Sequence, residues 1–192
     1  IASHMAKMLV ARGDRVTIFD NLSTGHREAV QWGPLIEGDL LVPGDVDIAL
    51  QAGAYDAVMH FSAKSLVGES VSHPDRYYLN NVVGTLNLLN AMVRHRIDKF
   101  IFSSSAAVFG NPQYTPIDEQ HPTRPINPYG KTKLMVESLL ADYDHAYGLR
   151  SVSLRYFNAA GADSDAQIGE SHNPETHLIP NILLSVINRG GQ

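Results

Sequence analysis

The sequence predicts an α/β fold, a doubly wound parallel sheet with helices on both faces. Two observations carry this reading. Short apolar runs that close on Asp, Ser or Asn alternate with longer stretches of helical periodicity, the order in which helical crossovers join parallel strands. The 192 residues, 44% hydrophobic and 18% charged, are also enough for one globular core.

The elements follow in order. Ile1 to Val10 reads as a helix closed by Gly13, with no strand before it. Val16 to Phe19 is a short strand ending at Asp20, followed by a polar turn from Asn21 to His26. Gly38-Asp39-Leu40 after Ile36 is a strand end or a turn, and Ala57 to Phe61 is the next strand. A long helix is predicted from about Pro74 to His95, with Leu86, Leu89 and Val93 at helical spacing. Lys99 to Ser103 is a third strand. Asn111 to Pro128 holds five prolines in eighteen residues and reads as a loop feeding a helix. Asn127 is a favoured N-cap and Pro128 fits the first helical position, while Gly148 suits the C-terminal stop. Ser151 to Tyr156 is the fourth strand. Leu178 to Asn188 is helical, and Arg189-Gly190-Gly191-Gln192 opens a turn. Both ends are therefore expected to be cut from a longer protein. Repeats and low-complexity segments are absent.

Several functions are disfavoured by composition. A formal charge of −5 without a basic run argues against nucleic acid as partner. No apolar stretch approaches ~20 residues and no signal peptide is present, so no membrane role and a cytoplasmic location are expected. The chain has no cysteine, which excludes disulfides, thiolate metal sites and thiol nucleophiles and suits a reducing compartment. Asp163-x-Asp165-x-Gln167 lacks the glycine and distal glutamate of a calcium loop, and the nine histidines show no typical zinc spacing, so no metal is expected.

The chemistry rests on Tyr129 and Lys133, which share one face just inside the predicted helix. A phenol titrates near ~10, and bringing it to ~7 needs about 4 kcal/mol of preferential stabilisation of its anion. A neighbouring ammonium is one source. Ser103-Ser104-Ser105 ends a buried strand, which sets hydroxyls at the carboxyl edge of a parallel sheet, where ligands bind in such folds; a plain polar cap is the alternative. Serine, tyrosine and lysine together would make a proton-transfer unit for a hydride-transferring cofactor. Asp20 ends a strand eighteen residues after Ala2. It reads either as ordinary Asp-Asn turn chemistry or as the acceptor for an adenosine ribose, with Ala2 as the last position of a glycine motif otherwise not visible. His60-Phe61-Ser62-Ala63-Lys64-Ser65 is a surface loop or a close backbone approach to pyrophosphate. Asn80-Asn81, unusual within a helix, is a buried contact or a solvated face.

Taken together, Asp20-Asn21-Leu22-Ser23-Thr24-Gly25-His26, His60-Phe61, Val67-Gly68-Glu69-Ser70, Asn80-Asn81-Val82-x-Gly84-Thr85, Phe102-Ser103-Ser104-Ser105-Ala106, Tyr129-x-x-x-Lys133 and Arg155-Tyr156-Phe157-Asn158 resemble the UDP-glucose 4-epimerase family of extended short-chain dehydrogenase/reductases. The resemblance runs over essentially the whole chain. It implies a Rossmann-type domain lacking its first strand and most of the C-terminal substrate lobe, with residues 1–177 binding NAD and 178–192 beginning that lobe. Without the central first strand, two half-sheets and weak binding of NAD by this piece are expected. The implied reaction is NAD-dependent 4-epimerisation of a UDP-hexose, UDP-glucose or UDP-galactose, through a transient 4-keto sugar, with a UDP-N-acetylhexosamine, UDP-pentose or UDP-uronate as the alternative substrate. Tyr129 would be the base at the sugar 4-hydroxyl, Ser105 would hydrogen-bond the reacting oxygen, and Lys133 would bind the nicotinamide ribose and lower the tyrosine pKa. Asp20, Asn21, Leu22, Ser23, Thr24, Gly25, Asp39, Leu40, Phe61, Ser62, Ala63, Lys64, Ser65, Asn80 and Phe157 would contact NAD together with that triad. Asn158, His177 and Leu178 would approach the UDP-sugar, beside Ser105 and Tyr129. A homodimer through the two long helices is implied for the full-length parent.

This sequence departs from the family pattern in three places. The glycine loop is mostly missing, Phe109 stands where a tyrosine is usual, and Lys64 is displaced from the expected cationic position. The rival within the superfamily, a nucleotide-sugar 4,6-dehydratase, needs acidic groups after the catalytic hydroxyl, and Ala106 and Ala107 stand there. A non-catalytic nucleotide-sugar-binding protein is the reading from another class.

Overall fold

The computed structural model describes residues 1–172 and 175–189; the predicted turn lies outside them from Gly190 onward. The strands form two separate sheets, one of two strands and one of three, the division into half-sheets that the sequence predicts. Among the described residues no helix is long and apolar enough to cross a membrane. The chain divides into two compact units.

The first unit comprises Ile1–Ile18, Leu22–Leu35 and the chain from Asn158 onward. Helix α1 (Ala2–Arg12) stops at Gly13, whose φ of 98° is the left-handed conformation that glycine tolerates. Lys7 on this helix holds the Asp163 and Asp165 carboxylates at 2.8 and 2.9 Å. Gly33 sits at φ 127°, and a Cβ there would lie 2.2 Å from the Val16 carbonyl oxygen, so only glycine fits. Helix α7 (Leu178–Arg189) closes the unit.

The second unit comprises Phe19–Asn21 and Ile36–Phe157. Strands β1 (Ile18–Asp20) and β2 (Leu35–Glu37) pair in the smaller sheet. The strand predicted at Val16 to Phe19 starts two residues later and ends one later, since its pairing begins with the Ile18 N–H donating to the Pro34 carbonyl. The larger sheet has the order β3 (Val58–His60), β4 (Lys99–Ser103), β5 (Arg150–Leu154), all parallel. Strand β4 has the predicted bounds. β5 starts and stops earlier than Ser151 to Tyr156, because it pairs residue for residue with β4 from Lys99↔Arg150 to Ser103↔Leu154, and β4 ends in a turn at Ser104.

Helices α2 (Pro43–Gln51), α5 (Gly84–Arg94) and α6 (Pro128–Tyr147) supply apolar faces to one core. Its fully buried members include Val46, Leu89, Met92, Phe100, Phe102, Val136 and Leu140. Leu89 is buried as its spacing predicts, with Leu86 and Val93 packed at the margin.

The predicted long helix is not regular. It runs as α4 (Pro74–Tyr77), a π-turn over Tyr78–Val83 and then α5, with a separate α3 (Val67–Ser72) before it. The wide turn coincides with Asn80 and Asn81, and side-chain bonds made by Asn81 account for it below. Helix α2 carries its own signal, Pro43 at the first position and Val46, Ala49 and Leu50 buried at helical spacing.

Candidate functional site

The carboxyl edge of the larger sheet carries the predicted triad. β4 ends at Ser103, and two residues later Ser105 caps a single 3-10 turn over Ala106–Val108, its Oγ accepting from the Ala107 N–H at 3.1 Å. Asn127 caps α6 as predicted, its Oδ1 accepting from the Gly130 N–H at 2.8 Å, with Pro128 at the first position and Gly148 left-handed at the end. A Cβ on Gly130 would lie 2.5 Å from the Ala107 carbonyl oxygen. Glycine therefore lets the first turn of α6, which carries Tyr129, approach the 3-10 turn that Ser105 caps.

Lys133, one turn further, is 2% exposed. Its ammonium donates to the Ser103 carbonyl at 2.7 Å and lies 4.9 Å from the Phe102 ring centroid and 5.7 Å from that of Tyr129. Burial pushes its pKa down to about 8. Tyr129 is shifted upward, chiefly by burial; the nearby Ser105 hydroxyl acts in the opposite direction. The expected lowering of the phenol by Lys133 is thus not present in the protein alone, where desolvation outweighs it.

Residues with no predicted role at the site hold this edge in place, Glu137 and Thr132 among them. Ser104 is buried and donates to Glu137 of α6 at 2.5 Å, and Arg155 clasps the same carboxylate at 2.5 and 3.0 Å. Tyr156 hydrogen-bonds Ser103 through its hydroxyl and accepts from the Ala106 N–H through its carbonyl at 3.0 Å. Asn81, 2% exposed, accepts from the Lys64 N–H at 2.9 Å and donates to the Lys64 carbonyl at 3.0 Å and to Thr132 Oγ1 at 3.2 Å. Thr132 in turn donates to the Tyr129 carbonyl at 2.7 Å. The segment after β3 and the helix bearing Tyr129 and Lys133 are thereby tied to one amide. Asn80 donates to Asn81 Oδ1 at 2.9 Å.

His60 at the end of β3 is buried against Phe100 and Phe102, with Nε2 3.2 Å from Thr85 Oγ1 and Nδ1 without a partner. Burial, helped by the Lys133 charge, pushes it down to about 3, so it is neutral near neutral pH.

At the ends of β1 and β2 the predicted residues come together as well. The Gly38 N–H donates to the Asp20 carbonyl at 3.1 Å and the Asn21 amide to Asp39 at 3.0 Å, while Asp39 also accepts from the Leu41 N–H at 2.8 Å. Asp39 is therefore committed to local bonds. Phe157 is 66% exposed. Leu22 to Gly25, Asn158, His177 and Leu178 belong to the other unit; Leu22 takes a φ of 53°, and Asn158, His177 and Leu178 are exposed.

A parallel α/β domain with a hydroxyl, a phenol and a buried ammonium near the strand ends has the architecture of Rossmann-type dinucleotide-binding proteins. The profile of the NAD dependent epimerase/dehydratase family matches residues 1–190, and the chain belongs to that family. UDP-glucose 4-epimerase of Rhizobium leguminosarum bv. trifolii is 51% identical over 189 residues, 98% of this chain and 58% of that protein. The enzyme of the same name from Lactobacillus helveticus is 50% identical over 193 residues, 100% of this chain and 58% of its own. The crystal structure of UDP-glucose 4-epimerase from Brucella ovis in complex with NAD has a TM-score of 0.95 at 51% identity, covering 97% of this chain and 57% of its own. The Bifidobacterium longum enzyme in complex with NAD+ and UDP gives 0.85 at 35% identity over 89% and 54%. The chain thus spans about 58% of the length of the curated relatives it matches.

Proposed function

We propose that a protein of the relatives' length carrying these residues epimerises UDP-glucose and UDP-galactose at C4, using NAD. The observation that carries the proposal is the close approach of the first turn of α6, bearing Tyr129, to the turn capped by Ser105, with Lys133 buried one helical turn further on. The donor set fits a dinucleotide. A buried ammonium whose bond is to a single carbonyl has further protons for ribose hydroxyls, and Asp20 ends a strand beside Asp39.

NAD, when bound, supplies a reversible two-electron acceptor and a positive charge. In this reading Lys133, Phe61 to Ser65, Asn80, Phe157, Leu40 and the Asp20-to-Gly25 turn hold it. Oxidation at C4 requires the 4-hydroxyl to give up its proton. Tyr129 takes that proton and returns it, and Ser105 holds the reacting oxygen within reach of the phenol. Asn158, His177 and Leu178 approach the nucleotide sugar. Inversion needs no other acid or base, which suits a site where Ala106 and Ala107 follow the serine and Glu137 is held by Arg155. Dehydration across C5–C6 would need carboxyl groups that this turn does not offer. Names and complexes of the relatives support the choice of NAD and of a UDP-hexose.

Such a protein, incubated with UDP-galactose, is expected to yield UDP-glucose by proton NMR. A 4-keto-6-deoxy sugar as product, or no turnover on either UDP-galactose or UDP-N-acetylgalactosamine, would overturn the assignment.

A further inference from the structure

Two Glu-x-His units, Glu170-Ser171-His172 and Glu175-Thr176-His177, stand five residues apart just before α7. Neither has zinc-like spacing by itself, yet the fold turns both inward on a common centre. One ligand atom from each of the four side chains lies within 4.8 Å of every other. His177 Nδ1 is 2.6 Å from Glu170 and 2.8 Å from Glu175, while His172 Nδ1 is 3.4 Å from Glu170 and 3.9 Å from Glu175. The two imidazole rings lie with centroids 4.6 Å apart, tilted at 48° to each other.

We propose that Glu170, His172, Glu175 and His177 bind one divalent first-row transition ion, zinc being the natural probe. Zinc holds imidazole nitrogen and carboxylate oxygen at ~2.0–2.2 Å, which at the tetrahedral angle puts ligand atoms about 3.3 Å apart. The His–Glu separations of 2.6 to 3.9 Å bracket that value, and side-chain rotation brings one atom of each residue to a common ion. Two nitrogens and two carboxylate oxygens suit zinc, nickel or copper better than calcium or magnesium, which prefer oxygen alone. The two negative charges neutralise the ion.

Exposure of His172 and His177 near one half gives the ion a path from solvent. The backbone around Glu175 is already organised. Its Oε1 accepts from the Thr176 and His177 N–H groups at 2.8 Å each, and the His177 carbonyl accepts from the Asn181 N–H of α7 at 3.2 Å. An ion at this centre would fix the entry to α7 and the tautomer of His177. With Nδ1 on the metal, Nε2 carries the proton and is left to donate outward. That consequence deepens the role given to His177 toward the UDP-sugar, while the metal site itself does not rest on the epimerase reading, because its test reads metal and not turnover.

The chain, freed of metal with a chelator and held in a non-coordinating buffer, is titrated with zinc chloride by calorimetry. The same titration is made on His172→Ala, on Glu170→Gln and on His145→Ala, an exposed histidine of α6 outside the cluster. Expected is one zinc per chain for wild type and His145→Ala, with affinity about 100-fold lower or worse in His172→Ala and Glu170→Gln. Circular dichroism confirms that each variant keeps its helix signal, and cobalt(II) in place of zinc should give intense tetrahedral visible bands in wild type and His145→Ala but not in His172→Ala or Glu170→Gln. Unchanged affinity in both cluster variants, or no zinc binding by wild type, overturns the proposal.

Discussion

Asn81 grips Lys64 by both halves of its backbone, accepting from the N–H at 2.9 Å and donating to the carbonyl at 3.0 Å. The same amide reaches Thr132 at 3.2 Å, and the helix that carries Asn81 widens there into a π-turn. Three segments far apart in sequence meet on one side chain. Asn81→Asp keeps the shape but removes the donor, leaving the Lys64 carbonyl facing a carboxylate. It should cost about 2 kcal/mol, read as a lower urea midpoint at unchanged slope. A midpoint equal to that of wild type would show that the clamp is dispensable.

Gly130→Ala discriminates between helix propensity and packing. Alanine inside a helix normally gains up to about 1 kcal/mol over glycine. Here the new Cβ meets the Ala107 carbonyl oxygen at 2.5 Å, and neither backbone can give way without separating Tyr129 from the Ser105 turn. A net loss of about 1–3 kcal/mol is expected, together with loss of activity. Thermal unfolding gives the sign, and a rise in melting temperature would refute the close approach.

Lys133 should make stability depend on pH in the alkaline range. Its pKa is about 8 in the folded chain against the ordinary 10.5, so between those values the unfolded chain binds a proton that the folded chain does not. Stability from this residue therefore rises with pH through that window. Lys133→Met removes the effect. The free-energy difference between variant and wild type should change by about 2 kcal/mol in favour of wild type from pH 7 to pH 10. A difference constant across that range would mean that the ammonium is better solvated than its burial implies.

His60 produces an acid sensitivity. Its pKa is about 3 when folded against 6.5 when unfolded, and below 6.5 the unfolded chain gains the proton first, so stability falls as pH drops through that window. Between pH 6.5 and 5 wild type should lose about 2 kcal/mol that His60→Asn retains. Parallel pH profiles for the two proteins would contradict the buried neutral imidazole.

Local signals carried the sequence reading where the structure depends on neighbours. Asn127 and Pro128 mark the start of α6, Gly13 and Gly148 mark helix ends, and the apolar run from Lys99 to Ser103 marks β4, because each acts within a turn or a strand. The π-turn was not legible, since the partners of Asn81 lie 17 and 51 residues away. Glu137 and Arg155 meet across 18 residues, through the pairing of β5 with β4 and the return of α6. Helix α2 was legible in Pro43, Val46, Ala49 and Leu50 and is a local pattern overlooked. The metal-ligand cluster is invisible to spacing rules because two Glu-x-His units fold against each other instead of lying on one helix.

The central claim is that Tyr129 moves the proton at O4 of a nucleotide sugar. The direct test is steady-state interconversion of UDP-galactose and UDP-glucose by Tyr129→Phe, made in a protein of the relatives' length that carries these residues, with bound NAD quantified alongside. The account predicts that kcat falls by about 100-fold or more while NAD content is kept. Wild-type kcat in that variant would contradict it.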